Sequence, residues 1–413
     1  MSMIKQRVLQ PQYVKNFECI GSKCEDSCCI GWMIGVDRKT YKKYKKLKNS
    51  ELSFKIKRYI SRNRSKFQGE HDYAKIKLEN NLCPFLDKNK LCSIQLEKGY
   101  SYLSTVCNTY PRIWNRVNGT LEKSLTMSCP EAARLILLNK NIMEFDEVYE
   151  IIDTNYIIHK ELNANDVSKA TKGGKYFWNL RIFSISLLQN RRYELWERLI
   201  ILGLFVERID KEIRSKKLSN IDDVILKYSE YLEGNILKKQ LNKIPTKINI
   251  QIKLLKEIAD KRELFGITNK KYIDLFLEFL KGLNYDENND IMKIAKKYNE
   301  AHEKYYTKFM VENEYMLENY CVNYAFKNTF PFSEEKTIFD SYMMLVIHYS
   351  LIKMHLIGIS AQRKKMTKDL MIEVIQSFTK TVEHNKTYLN YINDLMKENN
   401  FNNIAYMAIL LKN

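Results

Sequence analysis

The sequence predicts a mainly α-helical protein in two parts. Residues 1–135 read as a cysteine-rich metal-binding region of short strands and turns, and residues 136–413 as a larger all-α helical body. Two observations carry this division. Eight of the nine cysteines lie between residues 19 and 129, and residues 1–135 hold just over half of the glycine and proline taken together. From about residue 136 apolar residues recur at a 3.6-residue period with few glycines, and Pro245 and Pro331 act as breaks. At 413 residues and 45% hydrophobic content the chain can bury one large core or two moderate ones.

The first thirteen residues mix polar and apolar types, carry Lys5 and Arg7, and lack the apolar stretch of a secretory signal. The cytoplasm is therefore the expected address, and thiols in a reducing compartment point to a metal or iron-sulfur centre rather than to disulfides. Four cysteines form one run, Cys19-x4-Cys24-x3-Cys28-Cys29, followed by Cys83, Cys92, Cys107 and Cys129. These eight are the candidate metal ligands. The stretch 32–36 reads as a short strand. The segment from Cys83 to Cys92 has apolar ends around a polar Asp-Lys-Asn-Lys middle, so it is expected to turn back and bring its two sulfurs together. Cys28 and Cys29 are awkward for one centre, because neighbours in extended backbone point to opposite sides. Cys321 stands alone in an apolar helical stretch and reads as core packing.

In the helical body, 177–188 and 193–199 form an apolar pair around a polar turn. Further helices are expected over 222–242, 249–262, 271–283, 290–327, 335–360 and 367–398. The apolar tracts 199–206 and 342–360 are broken or short relative to the roughly 20 residues of a membrane span, so both read as buried helices and no span is expected. The net charge is +19. Lysine far outnumbers arginine and is scattered among Glu and Asp, which disfavours nucleic acid and leaves an acidic protein surface as the fitting partner.

Tetrahedral zinc and four-iron clusters both accept thiolates, and eight cysteines can supply one or two such centres. The chain lacks the paired C-x2-C knuckles of zinc ribbons, and the irregular spacing favours a 4Fe-4S cluster, with zinc as the alternative. His71 is the reserve ligand for a Cys3His site. His348 and His355, seven apart, share a helical face and read as core or rim groups.

Several segments carry a resemblance. Residues 17–32, Cys83-Pro-Phe-Leu86, Cys107-Asn-Thr-Tyr-Pro-Arg112, Phe177-Trp-Asn-Leu-Arg181 and Tyr324-Ala-Phe-Lys-Asn-Thr-Phe-Pro-Phe332 resemble the flagellin lysine-N-methylase family. The cysteine region alone is also similar to a broader group of zinc- or iron-chelating domains. The resemblance implies methyl transfer from S-adenosylmethionine to the ε-amine of flagellin lysines, in a cytoplasmic enzyme carrying a 4Fe-4S cluster. The rival reading from the residues is a non-enzymatic metal-binding or redox-sensing protein. No motif encodes an oligomeric state.

Two signatures of cofactor chemistry are missing from the sequence: a strand followed by a Gly-rich loop, and the spacing C-x3-C-x2-C. Methyl transfer by displacement needs a neutral amine and an acceptor for its proton. Glu25, Asp26, Asp37, Asp72, Tyr110 and Glu131 are available, each with a capping, ion-pair or surface role as the simpler reading. Arg112 is suited either to a cofactor carboxylate or to a structural acid, and Trp32 to shielding a metal centre. The substrate and cofactor are both cationic, so an acidic or apolar pocket is expected.

Overall fold

The structure, a computed structural model, describes residues 3–30, 34–65, 69–153, 157–163, 174–267, 269–285, 290–333 and 335–413. Its N-terminal part contains two sheets. The larger one has the strand order β7-β1-β6-β5-β8. Its first strand, β1 (Met3–Pro11), pairs antiparallel with β7 (Phe145–Asp153) along its whole length and parallel with β6 (Thr120–Leu125). The strands β5 (Arg112–Val117) and β6 form a hairpin. Its two turn residues, Asn118 and Gly119, both have positive φ, the backbone that a tight two-residue hairpin needs. The far edge is β8 (Ile158–Leu162), parallel to β5.

The smaller sheet runs β2-β4-β3, with β2 (Ile34–Val36), β3 (Ile60–Arg62) and β4 (Ala74–Ile76). Helices Arg38–Lys46 and Glu51–Tyr59 accompany it, the first capped by Asp37 and the second by Ser50. Tyr44, Leu52, Ile56, Phe85 and Ile94 fill a separate small core, against which Cys29, Cys92 and Cys107 pack and in which Cys83 is buried.

Strands β7 and β8 lie beyond residue 135, in a stretch that the sequence reads as all-helical. Acidic residues interrupt the apolar ones of β7 and β8 is short, so their place is set by pairing with β1 and β5 rather than by a clear period of their own. The continuous helical body therefore starts at helix Phe177–Leu188, and the expected helices follow, except that 222–242 is two helices, Ile221–Glu233 and Lys238–Asn242, with a turn between them. The stretch 290–327 is divided by a π-helical segment, His302–Thr307, and the stretch 367–398 by another, Thr379–Glu383. A final helix, Ile404–Leu411, was not anticipated.

At the centre lies Ile338–Arg363, 26 residues long. By length and composition it could cross a membrane, and its most apolar window is entirely buried in this core. It meets helix Lys270–Leu283 at two glycines: a Cβ on Gly282 would stand 1.9 Å from the Gly358 carbonyl oxygen. Only backbone without side chains permits that approach.

His348 and His355 sit on this helix, buried, and desolvation holds each imidazole down to about 4. His355 Nδ1 lies 2.7 Å from the Leu351 carbonyl, whereas His348 is caged by the rings of Tyr324 and Phe378 with neither nitrogen hydrogen-bonded. Cys321 is fully buried in the same core, as expected.

One buried ion pair ties the sheet to the helices. Arg181 reaches both carboxylate oxygens of Glu122 on β6 and donates to the Phe326 carbonyl at 2.9 Å, and both side chains are almost inaccessible. Replacing Glu122 by Ala should leave an unpaired buried cation and lower stability by about 3–5 kcal/mol, read as a lower urea midpoint; an unchanged midpoint would contradict this account.

The core histidines set a pH dependence. Their folded pKa values lie below the unfolded value, so the unfolded chain binds more protons between about pH 6.5 and 4. Stability should be full above that window and fall as pH drops through it. Urea midpoints at pH 7.5, 6 and 5 should decline, and H348N/H355N should flatten the decline; a midpoint rising on acidification would refute the assignment.

Candidate functional site

The cysteines fall into two groups. Cys28 and Cys29 lie in a turn rather than in extended backbone, so their sulfurs share a side and stand 3.8 Å apart. This corrects the expectation that they point apart. The next residue pairs across to Leu82, the Cys83 amide donates to the Cys29 carbonyl at 2.9 Å, and the two thiols are hydrogen-bonded.

The segment after Cys83 turns back as anticipated, with the Asp87 carboxylate accepting from the amides of Asn89 and Leu91. This brings Cys92 to the N-cap position of helix Ser93–Lys98. Cys107 lies in the short helix Thr105–Thr109, whose cap is Ser104. Charge on Cys92 and Cys28 bears on Cys107.

The second group is Cys19, Cys24 and Cys129. Cys129 precedes helix Pro130–Leu137 and feels Cys24 and Cys19. It packs on the large core, not the small one.

Burial pushes the Cys107 thiol up to about 12. Cys28 is raised by sharing a hydrogen with Cys29 and by burial. For Cys29 the bond with Cys28 pulls down, but the bond with Cys83 and burial outweigh it. Without a cation these sulfurs hold their protons. Among the described residues no three His, Cys, Asp or Glu side chains are arranged to hold a metal ion as they stand. The donor chemistry nevertheless suits one: five soft thiols from four chain segments, Cys83 buried, Cys29, Cys92 and Cys107 half-buried and Cys28 exposed.

Cys28 also lines a cavity of about 430 Å³ between this region and the helical body. Asp26 enters it and is bound by Lys380 at 2.8 Å and by the Gln376 amide at 2.8 Å. That amide also donates to the Ser128 carbonyl at 2.9 Å. Above them runs a hydrogen-bonded row: Tyr110 Oη to Ser128 Oγ at 3.1 Å, and Ser128 Oγ to His384 Nε2 at 3.1 Å. Burial keeps the Tyr110 phenol far from ionising. His384 is exposed as a whole, and partial desolvation of its ring with the Lys327 charge lowers its imidazole.

Beside His384, Glu383 is fully surrounded yet depressed to about 2. Burial opposes this, and the charge of Lys327, His348 and hydrogen bonds from Lys327 and Tyr320 overcome it. Arg262, Lys270 and Lys271 also line the cavity, Arg262 buried and donating to the Thr381 and Gly266 carbonyls. The cavity is thus richer in cations than the acidic or apolar pocket expected from sequence.

Other candidates take structural places. Asp37 caps a helix and binds both the amide and the hydroxyl of Thr105. Glu25 and Glu131 pair with Arg134. Arg112 stacks over Phe17, 5.2 Å from the ring centre, rather than pairing with an acid. His71 lies in a 3-10 turn beside β2. Trp32 is outside the described residues.

Sequence reasoning missed Ser128, Gln376, Lys380 and His384. The last three sit in what reads as an ordinary amphipathic helix, and no local pattern marks the wide π turn that presents them.

Comparison with known proteins places this geometry. Residues 181–410 match the family model described as the FliB lysine N-methylase C-terminal domain. A Lysine-N-methylase of Salmonella typhimurium is 24% identical over 391 residues, covering 92% of each chain, and one of Salmonella choleraesuis matches equally. The Flagellar biosynthetic protein FliU of Salmonella muenchen is 34% identical over 145 residues, which are 34% of this chain and 82% of that protein. No solved structure matches. With more than half of its length matched by the family model, the chain belongs to the FliB lysine N-methylase family.

Proposed function

We propose that this protein transfers methyl groups from S-adenosylmethionine to lysine ε-amines of flagellin, and that its N-terminal thiols hold an iron-sulfur centre. The observation that carries the reading is the cavity. It joins Cys28, on the edge of the five-thiol group, to Lys380 and His384 in the part of the chain that matches the methylase family. The names of the relatives, Lysine-N-methylase and a flagellar biosynthetic protein, support the reaction and the substrate.

Cys28, Cys29, Cys83, Cys92 and Cys107 would hold the centre, losing their protons to it as thiolate ligands must. When bound, such a centre supplies a Lewis-acidic, redox-active site at the cavity wall. The remaining work falls to the chain itself. Arg262, Lys270 and Lys271 offer positive charge to the carboxylate of the cofactor's methionine moiety. The same charges disfavour an ammonium, so a lysine entering the cavity is driven toward the neutral amine that methyl transfer requires. The net charge of +19 favours encounter with an acidic protein surface.

Protein purified without oxygen should contain iron and sulfide. C83S should lose metal, and C321S, in the distant core, should keep it. With methyl-labelled S-adenosylmethionine and flagellin, label should appear on lysine side chains. Loss of metal binding in the wild type would remove the centre, and absence of label on any flagellin lysine would remove the reaction and return the redox-sensing alternative.

A further inference from the structure

A lysine ammonium has no lone pair, so one proton must leave before the nitrogen can attack a methyl group. Resting on the lysine-methylation reading above, we propose that His384, acting through the Ser128 hydroxyl, is the acceptor for that proton. Ser128 and His384 both line the cavity, and the hydroxyl and imidazole are 3.1 Å apart. Tyr110 supports the hydroxyl from the other side at 3.1 Å, and Thr126 Oγ1 lies 3.2 Å from it.

The rival acceptors are occupied. Asp26 binds Lys380 and Gln376, and Glu25 binds Arg134. Glu383 faces inward to Lys327 and Tyr320. The charged and titratable groups facing His384 are Lys327, Glu383, His159 and Lys380, with Tyr110 beyond Ser128. This cationic majority disfavours an imidazolium, and Nε2 stands within hydrogen-bond distance of the Ser128 hydroxyl to take its proton. The same cations, with Lys270 and Lys271, lower the pKa of the incoming amine, which favours its neutral, nucleophilic form.

The step balances. An amine N–H bond breaks as the serine O–H forms, while the original serine proton passes to Nε2. The freed lone pair then forms the N–C bond as the methyl–sulfur bond breaks, its electron pair remaining on a neutral thioether. The imidazolium returns its proton to water.

The test is the initial methylation rate of anaerobically purified full-length protein on flagellin, at pH 7 and at about pH 9.5, where the neutral fraction of a solution lysine is roughly 300-fold larger. H384Q should be slower by about 100-fold or more at pH 7 and should regain most of the difference at the alkaline pH, with metal content and cofactor binding unchanged. A rate within about threefold of wild type at pH 7, or an equal deficit at both pH values, would overturn the assignment. If H384Q does not fold by circular dichroism, S128A decides by the same comparison: an alkaline-rescued deficit supports the relay, and wild-type behaviour rejects it. An inactive wild type would instead reject the methylation reading on which the assignment rests.

Discussion

Both walls of the cavity are fixed by the buried polar side chains of one helix, Tyr315–Lys327. Every residue of that helix is buried, polar ones included. A buried polar group must find its partner or lose about 1–3 kcal/mol, so each acts as a directional constraint that apolar packing lacks. Asn319 donates to the carbonyls of Ile136 and Asn139 at 3.0 and 2.7 Å. Asn323 donates to the Leu125 carbonyl at 3.3 Å, three residues before Ser128. At the other end Lys327 and Tyr320 hold Glu383, the neighbour of His384. The N-terminal wall and the C-terminal wall are therefore registered to the same ruler, although more than 250 residues separate them in sequence.

A second buried network braces that ruler from behind. Arg198 donates to Glu318, to Glu314 and to the carbonyls of Leu188 and Tyr193, and Arg191 adds further hydrogen bonds to Glu318. Removing any one partner leaves a buried charge uncompensated, which is why such groups specify a single arrangement more sharply than they add net stability. Arg181 performs the same service between the sheet and the Phe326 carbonyl.

Much of this was legible in the sequence where the physics is local. The helices over 221–233, 248–261, 270–283 and 338–363 follow from apolar periodicity, and the turn between Cys83 and Cys92 from its polar middle. The grouping of thiols was partly legible as density, but the division between those on the small core and Cys129 on the large one depends on tertiary placement. Strands β7 and β8 were missed because their order comes from neighbours distant in the chain. The Cys28–Cys29 turn was missed because a vicinal pair carries no mark of its backbone conformation. His384 was invisible for a related reason: its value lies in facing Ser128, 256 residues away.

The wide turn Thr379–Glu383 has a geometric consequence for recognition. In an α-helix every fourth residue overshoots a full turn by about 40°, so a row of three such residues spirals away from any straight partner. A π segment closes i→i+5 hydrogen bonds and fits more residues into each turn, so every fourth residue falls short instead. The π segment begins within the step from Gln376 to Lys380 and ends just before His384, and all three side chains engage Asp26 or Ser128 of the cysteine region. A single added residue in a helix thus becomes a vernier that brings two distant stretches of chain into phase.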